Sequence, residues 1–285
     1  MSSVKMDVEK YLERIGFVGP TEPSLEVLRS VHMRHLMSVP FENLTIHSGG
    51  QVEIEFPMLY NKIVNQQRGG FCCENNGLFY WLLSALGFRV TLLSAQVKNL
   101  VMGLYGPPFD HMVLMVTLEG QHWLCDVGFG SGYILPVSLD TSGPQEQGHK
   151  AYRIRKDGDM HFLECQRDEN RSSGEDWAQL YKFTLEPRHL QDFKEMSQYH
   201  QSSPCSIIFC KSLSIIQTPS GRLSYIGRNL TTIKFPTEDN ESVVKTTREL
   251  KDEEIPAVLE EKFGIVLKSP LTPKDEEITP PPVIY

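Results

Sequence analysis

The stretch His111-Met112-Val113-Leu114-Met115-Val116-Thr117-Leu118-Glu119-Gly120-Gln121-His122-Trp123-Leu124-Cys125-Asp126-Val127 holds two apolar runs, parted by Glu119-Gly120. The runs are rich in β-branched and apolar residues and the dipeptide between them suits a tight turn, so the stretch reads as a β-hairpin. With a two-residue loop Leu118 faces Gln121. Further down the ladder Val113 opposes Asp126 and His111 opposes Gly128. Side chains alternate along a strand, so His111, Val113 and Asp126 share one face. His111 and Asp126 are then diagonal neighbours, with backbones roughly 7–8 Å apart and side chains able to meet. A four-residue loop keeps this register, whereas a three-residue loop puts the two on opposite faces. His122 points away from His111 in the same register.

Outward from the hairpin the texture changes. Upstream, Val8, Tyr11, Leu12 and Ile15 recur at helical spacing, with Gly16 as a stop. Ser24 is an N-cap for a second helix through Leu25, Leu28, Val31 and His32, which Pro40 ends. A third helix is expected from about Pro57 to Gln66, and a fourth from Cys72 to Gly87. Phe88 to Val97 reads as a strand leading toward the hairpin. Downstream, Tyr152 to Ile154 and Met160 to Cys165 form a second hairpin, and Gln166 to Glu175 is a polar loop. Ser206 to Gln217 and Leu223 to Ile226 read as strands, His189 to Tyr199 and Glu253 to Phe263 as helices. The tail from Ser269, with Pro270, Pro273 and Pro280-Pro281-Pro282, is extended. Helices first, strands next and a mixed end imply an α+β chain of three lobes.

The bulk composition narrows the function classes. A chain of 285 residues at 40% hydrophobic and 22% charged is an ordinary globular protein. Its net charge of -8 gives nucleic acid no reason to bind. No apolar run nears the ~18 residues of a membrane span, and Met1 to Tyr11 lacks signal-peptide character. Six cysteines, at 72, 73, 125, 165, 205 and 210, show no dense disulfide framework, so reduced thiols in the cytoplasm are expected. Paired CxxC and HExxH motifs are missing, so no metal is expected. The N-x-S/T matches at Asn43, Asn170, Asn229 and Asn240 read as chance.

A second decisive segment is Arg68-Gly69-Gly70-Phe71-Cys72-Cys73-Glu74-Asn75-Asn76-Gly77-Leu78-Phe79. Two glycines allow a sharp approach to the next helix. A cysteine in a helix's first turn sits at the positive end of the peptide dipoles, which favours thiolate. A lone helix-start cysteine is more often a small buried residue without reactivity, and this local argument does not choose between Cys72 and Cys73. The hairpin adds a histidine and a carboxylate placed to orient it, which completes a Cys–His–Asp set. His32, His35 and His47 have no such neighbour and read as surface or core packing. Gly128-Phe129-Gly130-Ser131-Gly132 looks like a phosphate loop, but it follows an antiparallel strand and precedes no helix. It reads as a close turn around the site.

Arg68-Gly69-Gly70-Phe71-Cys72 resembles the active-site motif of the arylamine N-acetyltransferases, and the resemblance singles out Cys72. Val39-Pro40-Phe41-Glu42-Asn43-Leu44, Asp110-His111 and Asp126-Val127-Gly128-Phe129-Gly130 match further segments of that family. Phe183-Thr184-Leu185-Glu186-Pro187-Arg188 and Gln217-Thr218-Pro219 resemble its vertebrate branch. The resemblance runs from about Tyr11 to Leu267. It implies a helical domain over 1–87, an antiparallel β-barrel over 88–188, and a linking helix, α/β lid and extended tail over 189–285, around a cysteine-protease-like catalytic core. It also implies a ping-pong transfer of acetyl from acetyl-CoA through Cys72 to an aromatic amine or hydrazine, with His111 as base and Asp126 holding it. Phe41, Asp110, His111 and Phe129 would meet the acceptor. Pro107, Pro108, Tyr199 and Cys205 would meet CoA, with Thr279 as a positional candidate in the tail. A cytoplasmic monomer is expected.

This chain departs from the vertebrate pattern in three places. Pro107-Pro108 stands where Thr-Gly is frequent, Cys205 stands at a CoA-contact hydroxyl, and the loop after Leu163 is short. Two rival readings use the same triad: a papain- or transglutaminase-like hydrolase or acyltransferase, and a catalytically silent binding homologue. The first needs an extended peptide cleft and the second a blocked pocket.

Overall fold

The computed structural model describes residues 4–100, 102–167, 176–236 and 242–282. Its N-terminal part is helical for the reasons legible in the sequence. Helix α1 (Val8–Arg14) starts at Asp7, whose carboxylate accepts from the N–H groups of Glu9 and Lys10. Helix α2 (Leu25–Ser38) starts at Ser24, whose hydroxyl accepts from Val27 N. After Pro40 come a two-residue strand, β1 (Phe41–Glu42), and one helical turn, α3 (Leu44–His47). The helix expected over 57–66 is two pieces: α4 (Phe56–Tyr60), then a π-helical stretch over Asn61–Asn65. Helix α5 (Cys72–Ala85) carries its apolar residues into the core that α1 and α2 build.

The strands β2 (Arg89–Val97), β3 (His111–Leu118), β4 (Gln121–Cys125), β5 (Val137–Ser138), β6 (Gln145–Gln147), β7 (Lys150–Asp157), β8 (Met160–Gln166) and β9 (Trp177–Phe183) form one antiparallel sheet. Their order is β5-β4-β3-β2-β9-β8-β7-β6. The register predicted for the β3–β4 hairpin holds: Leu118 faces Gln121 and Leu114 faces Cys125. Glu119 (φ 52°) and Gly120 (φ 79°) are both left-handed, the two-residue turn whose twist suits a hairpin. The sheet curls into a nearly closed barrel. Side-chain amides bridge its edges: Gln145 Oε1 accepts from Ser138 N and Gln145 Nε2 donates to Ser138 O. Gln147 does the same for Ile134, Leu135 and the Leu135 carbonyl. Glutamines thus satisfy edge groups that no strand covers.

β3 separates two cores. Met112, Leu114 and Val116 pack with the helices, while Val113 packs inside the barrel with Leu93, Leu124, Ile154 and Leu163. Burial on both faces explains why the strand is apolar almost throughout.

After a 3-10 turn at Leu190–Phe193 come α6 (Lys194–Ser202) and α7 (Ile207–Cys210). The strand expected over Ser206 to Gln217 is therefore corrected: its first part is α7, capped by the Ser206 hydroxyl, and only the remainder is β10 (Leu213–Thr218). β11 (Gly221–Ile226), β12 (Asn229–Lys234) and β13 (Val244–Glu249) complete a five-stranded antiparallel sheet whose other edge is β1. β1, β5, β6, β9, β12 and β13 are not anticipated by the sequence pattern. The residues of β13 are exposed throughout, so no apolar alternation marks it. Helix α8 (Ile255–Phe263) packs on this sheet through Ile255, Val258, Leu259 and Phe263.

The tail is extended, as its prolines require, and it docks by backbone hydrogen bonds on the segment before β10. Ser212 N donates to Lys274 O, Glu276 N to Cys210 O and Thr279 N to Pro204 O. In the polar loop expected over Gln166 to Glu175, residues 168–175 lie outside the described residues, and so do Asn170 and Asn240. No helix among the described residues is long and apolar enough to cross a membrane.

Candidate active site

Cys72 is the first residue of α5, where unpaired backbone N–H groups point out of the helix. The two motifs that bring the chain there are bolted together. Arg68 Nε donates to Glu42 Oε1 at 2.9 Å and Arg68 Nη2 to Glu42 Oε2 at 3.0 Å, both buried. Glu42 also accepts from Leu44 N and Gly69 N. Burial alone would raise the Glu42 pKa, but the Lys62 and Arg68 charges and these donors hold it below the usual carboxylate range. Glu74 caps the turn by accepting from Phe71 N and pairs with Lys62 at 2.7 Å.

His111, the first residue of β3, meets Asp126, just past the end of β4: His111 Nε2 lies 2.7 Å from Asp126 Oδ2. Cys72 is 6% exposed, His111 and Asp126 each 3%. His111 and the Cys72 thiol also act on each other's charge, and with Nε2 engaged by Asp126 the nitrogen left free is Nδ1. The three predicted triad residues lie at one corner, with Cys72 Sγ 3.9 Å from the carbonyl of Asp110, the residue before His111.

The electrostatics favour a charged pair. The hydrogen bond from Cys73 and the nearby His111 and His200 outweigh burial and hold the Cys72 thiol well below its ordinary pKa. Burial works against a charged His111, but the Asp126 carboxylate and the Cys72 sulfur overcome it and raise the imidazole to about 10. For Asp126, too, burial is outweighed, here by His111 and by donors from Asn76 and Gly128, so its pKa is lowered. Each group thus favours the other's charged form, thiolate beside imidazolium. Cys73, 3.8 Å sulfur to sulfur from Cys72, is pushed the other way. The structure thus separates two adjacent cysteines that the local sequence argument leaves equal.

Several supports were not read from the sequence. Asn76, one turn along α5 from Cys72, donates to Asp126 Oδ1 at 2.8 Å and to Met112 O at 2.6 Å, and accepts from Val127 N. Gly128 N donates to the same Asp126 oxygen at 2.9 Å. His32, read as packing, is fully buried, and its Nε2 accepts from Asp126 N while its Nδ1 lies 2.7 Å from Ile134 O. Burial pushes its pKa down to about 4, which keeps it neutral for that acceptor role. His200 on α6 meets Asp110 O at 2.8 Å and Ser206 Oγ at 2.9 Å. Apart from the four-residue step from Cys72 to Asn76, these residues carry no spacing signal toward the site. The close turn expected at Gly128 is present: a methyl group there would come within 2.8 Å of both Cys72 Cα and Asn76 Nδ2.

The predicted acceptor residues lie around this centre. The Phe129 ring stands 5.4 Å from the His111 ring and 5.5 Å from Tyr181, centroid to centroid. Phe41, half-buried in β1, packs beside Gly130 and pairs with Ile215. Asp110 turns its backbone oxygen toward Cys72 Sγ, at 3.9 Å, and its carboxylate toward Val97 N. Of the predicted CoA residues, Pro107 and Pro108 lie in the turn that ends at Asp110, which His200 ties to α6. Tyr199 is on α6 and Cys205 just beyond it. Thr279 joins them because the docked tail places it against Pro204, with Pro280 O 3.8 Å from Cys205 Sγ. No cluster of metal-ligating residues is present among the described residues.

A family model described as N-acetyltransferase matches residues 24–272. A pineal gland isozyme of arylamine N-acetyltransferase from Gallus gallus is 36% identical over 282 residues, covering 94% of this chain and 97% of that protein. Among solved structures, the Mycobacterium marinum arylamine N-acetyltransferase in complex with CoA is 30% identical. It superposes with a TM-score of 0.79 over 91% of this chain and 93% of that one. The Bacillus cereus enzyme, described as having a unique Cys-His-Glu catalytic triad, is 27% identical with a TM-score of 0.80, over 92% of this chain and 100% of its own.

Proposed function

The chain belongs to the arylamine N-acetyltransferase family and is an acyltransferase, and on that premise we propose that it transfers acetyl from acetyl-CoA to aromatic amines or hydrazines by a ping-pong route through Cys72. One observation carries the mechanism: a helix-start thiol whose charge an imidazole stabilises, with that imidazole's Nε2 2.7 Å from a buried carboxylate.

In the first half-reaction the Cys72 thiolate attacks the thioester carbonyl. The new S–C bond forms as the bond to the CoA sulfur breaks, and the leaving thiolate takes the proton carried by His111. In the second half the amine nitrogen attacks the Cys72 acetyl ester. His111 accepts the amine's proton, the amide forms and the Cys72 thiolate departs. The buried Asp126 holds Nε2–H, so the proton moves at Nδ1, the nitrogen beside the sulfur. An arylamine is largely unprotonated at neutral pH and attacks as it stands.

Phe41 and Phe129 supply apolar faces for the acceptor ring. On this reading the Pro107–Asp110 turn, Tyr199, Cys205 and Thr279 meet CoA. Three lobes, over 1–87, 88–188 and 189–285, a monomeric state and a cytoplasmic location complete the reading.

The experiment is incubation with radiolabelled acetyl-CoA, followed by denaturation and peptide mapping. Label is expected on the peptide holding Cys72, and addition of p-anisidine discharges it. Label on another residue, or initial-rate lines that converge instead of running parallel, overturns the route.

A further inference from the structure

The turn that leads into β3 is strained. Phe109, two residues before His111, has φ 66°, in the left-handed region that a bulky side chain rarely enters. Such a conformation persists only where its surroundings hold it. Part of the hold comes from β2: Phe109 N donates to Ser94 Oγ at 3.2 Å, and Val97 N to Asp110 Oδ2 at 3.1 Å. Asp110 N closes the turn on Pro107 O at 3.1 Å. These bonds fix the turn to its own barrel. They do not fix where His111, carried by the barrel, stands relative to Cys72, carried by α5.

A third segment makes that connection. His200 Nε2, on α6, lies 2.8 Å from Asp110 O, and a carbonyl only accepts, so Nε2 carries the proton. His200 Nδ1 lies 2.9 Å from Ser206 Oγ. The Ser206 hydroxyl donates to that nitrogen, while its oxygen caps α7 by accepting from Ile208 N at 3.2 Å. Ser206 thereby sets the tautomer that the Asp110 carbonyl requires. The Asp110 carboxylate stands further off, 3.8 Å from Nε2. The His200 ring also meets the Phe71 ring edge-on, 6.2 Å between centroids. His200, Ser206 and Phe71 are all buried. Phe71 directly precedes Cys72, and Asp110 directly precedes His111. The Phe109 ring packs on Phe193 as well, 5.4 Å between centroids, but an apolar contact sets no direction for the Asp110 carbonyl. That carbonyl is the one 3.9 Å from Cys72 Sγ.

We propose that His200 is a positioning residue for the acetyl transfer: it braces the residue before the nucleophile and the residue before the base, so that Cys72 and His111 keep the spacing their proton exchange needs. It acts through Asp110 and Phe71 and not on the reacting atoms. The inference rests on the transferase reading above and gives a role to a buried imidazole that this reading leaves idle. A misplacement on the order of 1 Å at such a pair slows transfer about a hundredfold.

The test compares wild type with His200→Leu and His200→Gln, using acetyl-CoA and p-nitrophenyl acetate as donors and p-anisidine as acceptor. The second donor carries no nucleotide. In His200→Leu, kcat/KM should fall about tenfold or more for both donors by the same factor. His200→Gln should recover part of the loss with both, because its amide nitrogen stands where Nε2 does and donates to Asp110 O. Unchanged kcat/KM in His200→Leu overturns the proposal. So does a fall confined to acetyl-CoA, which would make His200 part of the CoA site, and so does an equal loss in the Gln and Leu variants. If His200→Leu does not fold, His200→Asn replaces it. Its amide reaches the Nδ1 position and not the Asp110 carbonyl, so it should be as slow as predicted for Leu, and activity equal to that of His200→Gln counts against the brace. Failure of the transferase reading is distinct: wild type would then pass acetyl from neither donor to p-anisidine.

Discussion

Asp126→Asn tests the triad most sharply, because the surrounding donors dictate how the amide must sit. Asp126 Oδ1 accepts from Asn76 Nδ2 and Gly128 N, while Oδ2 faces His111 Nε2. An asparagine has one oxygen. If that oxygen keeps the two fixed donors, its NH2 faces His111, which must then present an unprotonated Nε2 and carry its proton on Nδ1. The nitrogen beside Cys72 can no longer accept a proton. The imidazolium also loses its counter-charge. The rise of the His111 pKa from 6.5 to about 10 corresponds, at about 1.4 kcal/mol per pH unit, to roughly 5 kcal/mol favouring the charged ring, contributed jointly by Asp126 and Cys72. Losing the larger part of that should slow turnover by about 10³–10⁴-fold, the range seen when a triad carboxylate becomes an amide. The opposite placement, with oxygen toward His111, leaves Asn76 Nδ2 and Gly128 N facing an NH2 group and destabilises the fold instead. Circular dichroism and kcat/KM measured on the same preparation separate the two outcomes. A folded Asp126→Asn protein with near-native turnover refutes the reasoning and removes Asp126 from the mechanism.

The depressed Cys72 pKa has a definite pH signature: thiolate reactivity is present above that pKa and lost as pH falls through it. Iodoacetamide should therefore alkylate Cys72 rapidly at neutral pH and well below the roughly 8.5 of an ordinary thiol, read by peptide mass spectrometry; alkylation of Cys73 first would reverse the assignment. Phe129→Ser should open the acceptor site and shift kcat/KM toward bulkier arylamines by about 1–3 kcal/mol, and an unchanged ratio of bulky to small amines would show that Phe129 does not shape it. Glu42→Ala leaves Arg68 buried without its partner and should cost about 3–5 kcal/mol of stability in urea titrations; a loss under about 1 kcal/mol would mean that water reaches the guanidinium.

Local physics in the sequence determined a good deal. The helix caps at Ser24, the breaks at Pro40 and Gly87 and the helix start at Cys72 depend on neighbours a few residues away, and each is where the pattern put it. The β3–β4 register followed from a two-residue turn and the period of a strand, and that alone placed His111 beside Asp126. β12 and β13 were invisible because strands with little or no burial carry no apolar alternation, and α7 was hidden in a run whose β-branched residues suit either state.

Other features exist only once distant segments pack. Asn76 and His32 hold Asp126 across 50 and 94 residues of sequence, and Arg68 meets Glu42 only because α5 and β1 converge on one corner. Cys72 and Cys73 are equivalent to any local argument, and packing alone puts one thiol against His111 and leaves the other as its donor. Burial likewise keeps His32 neutral, with its pKa pushed down to about 4, because desolvation is a property of everything packed around a group and not of the group's own neighbours in the chain.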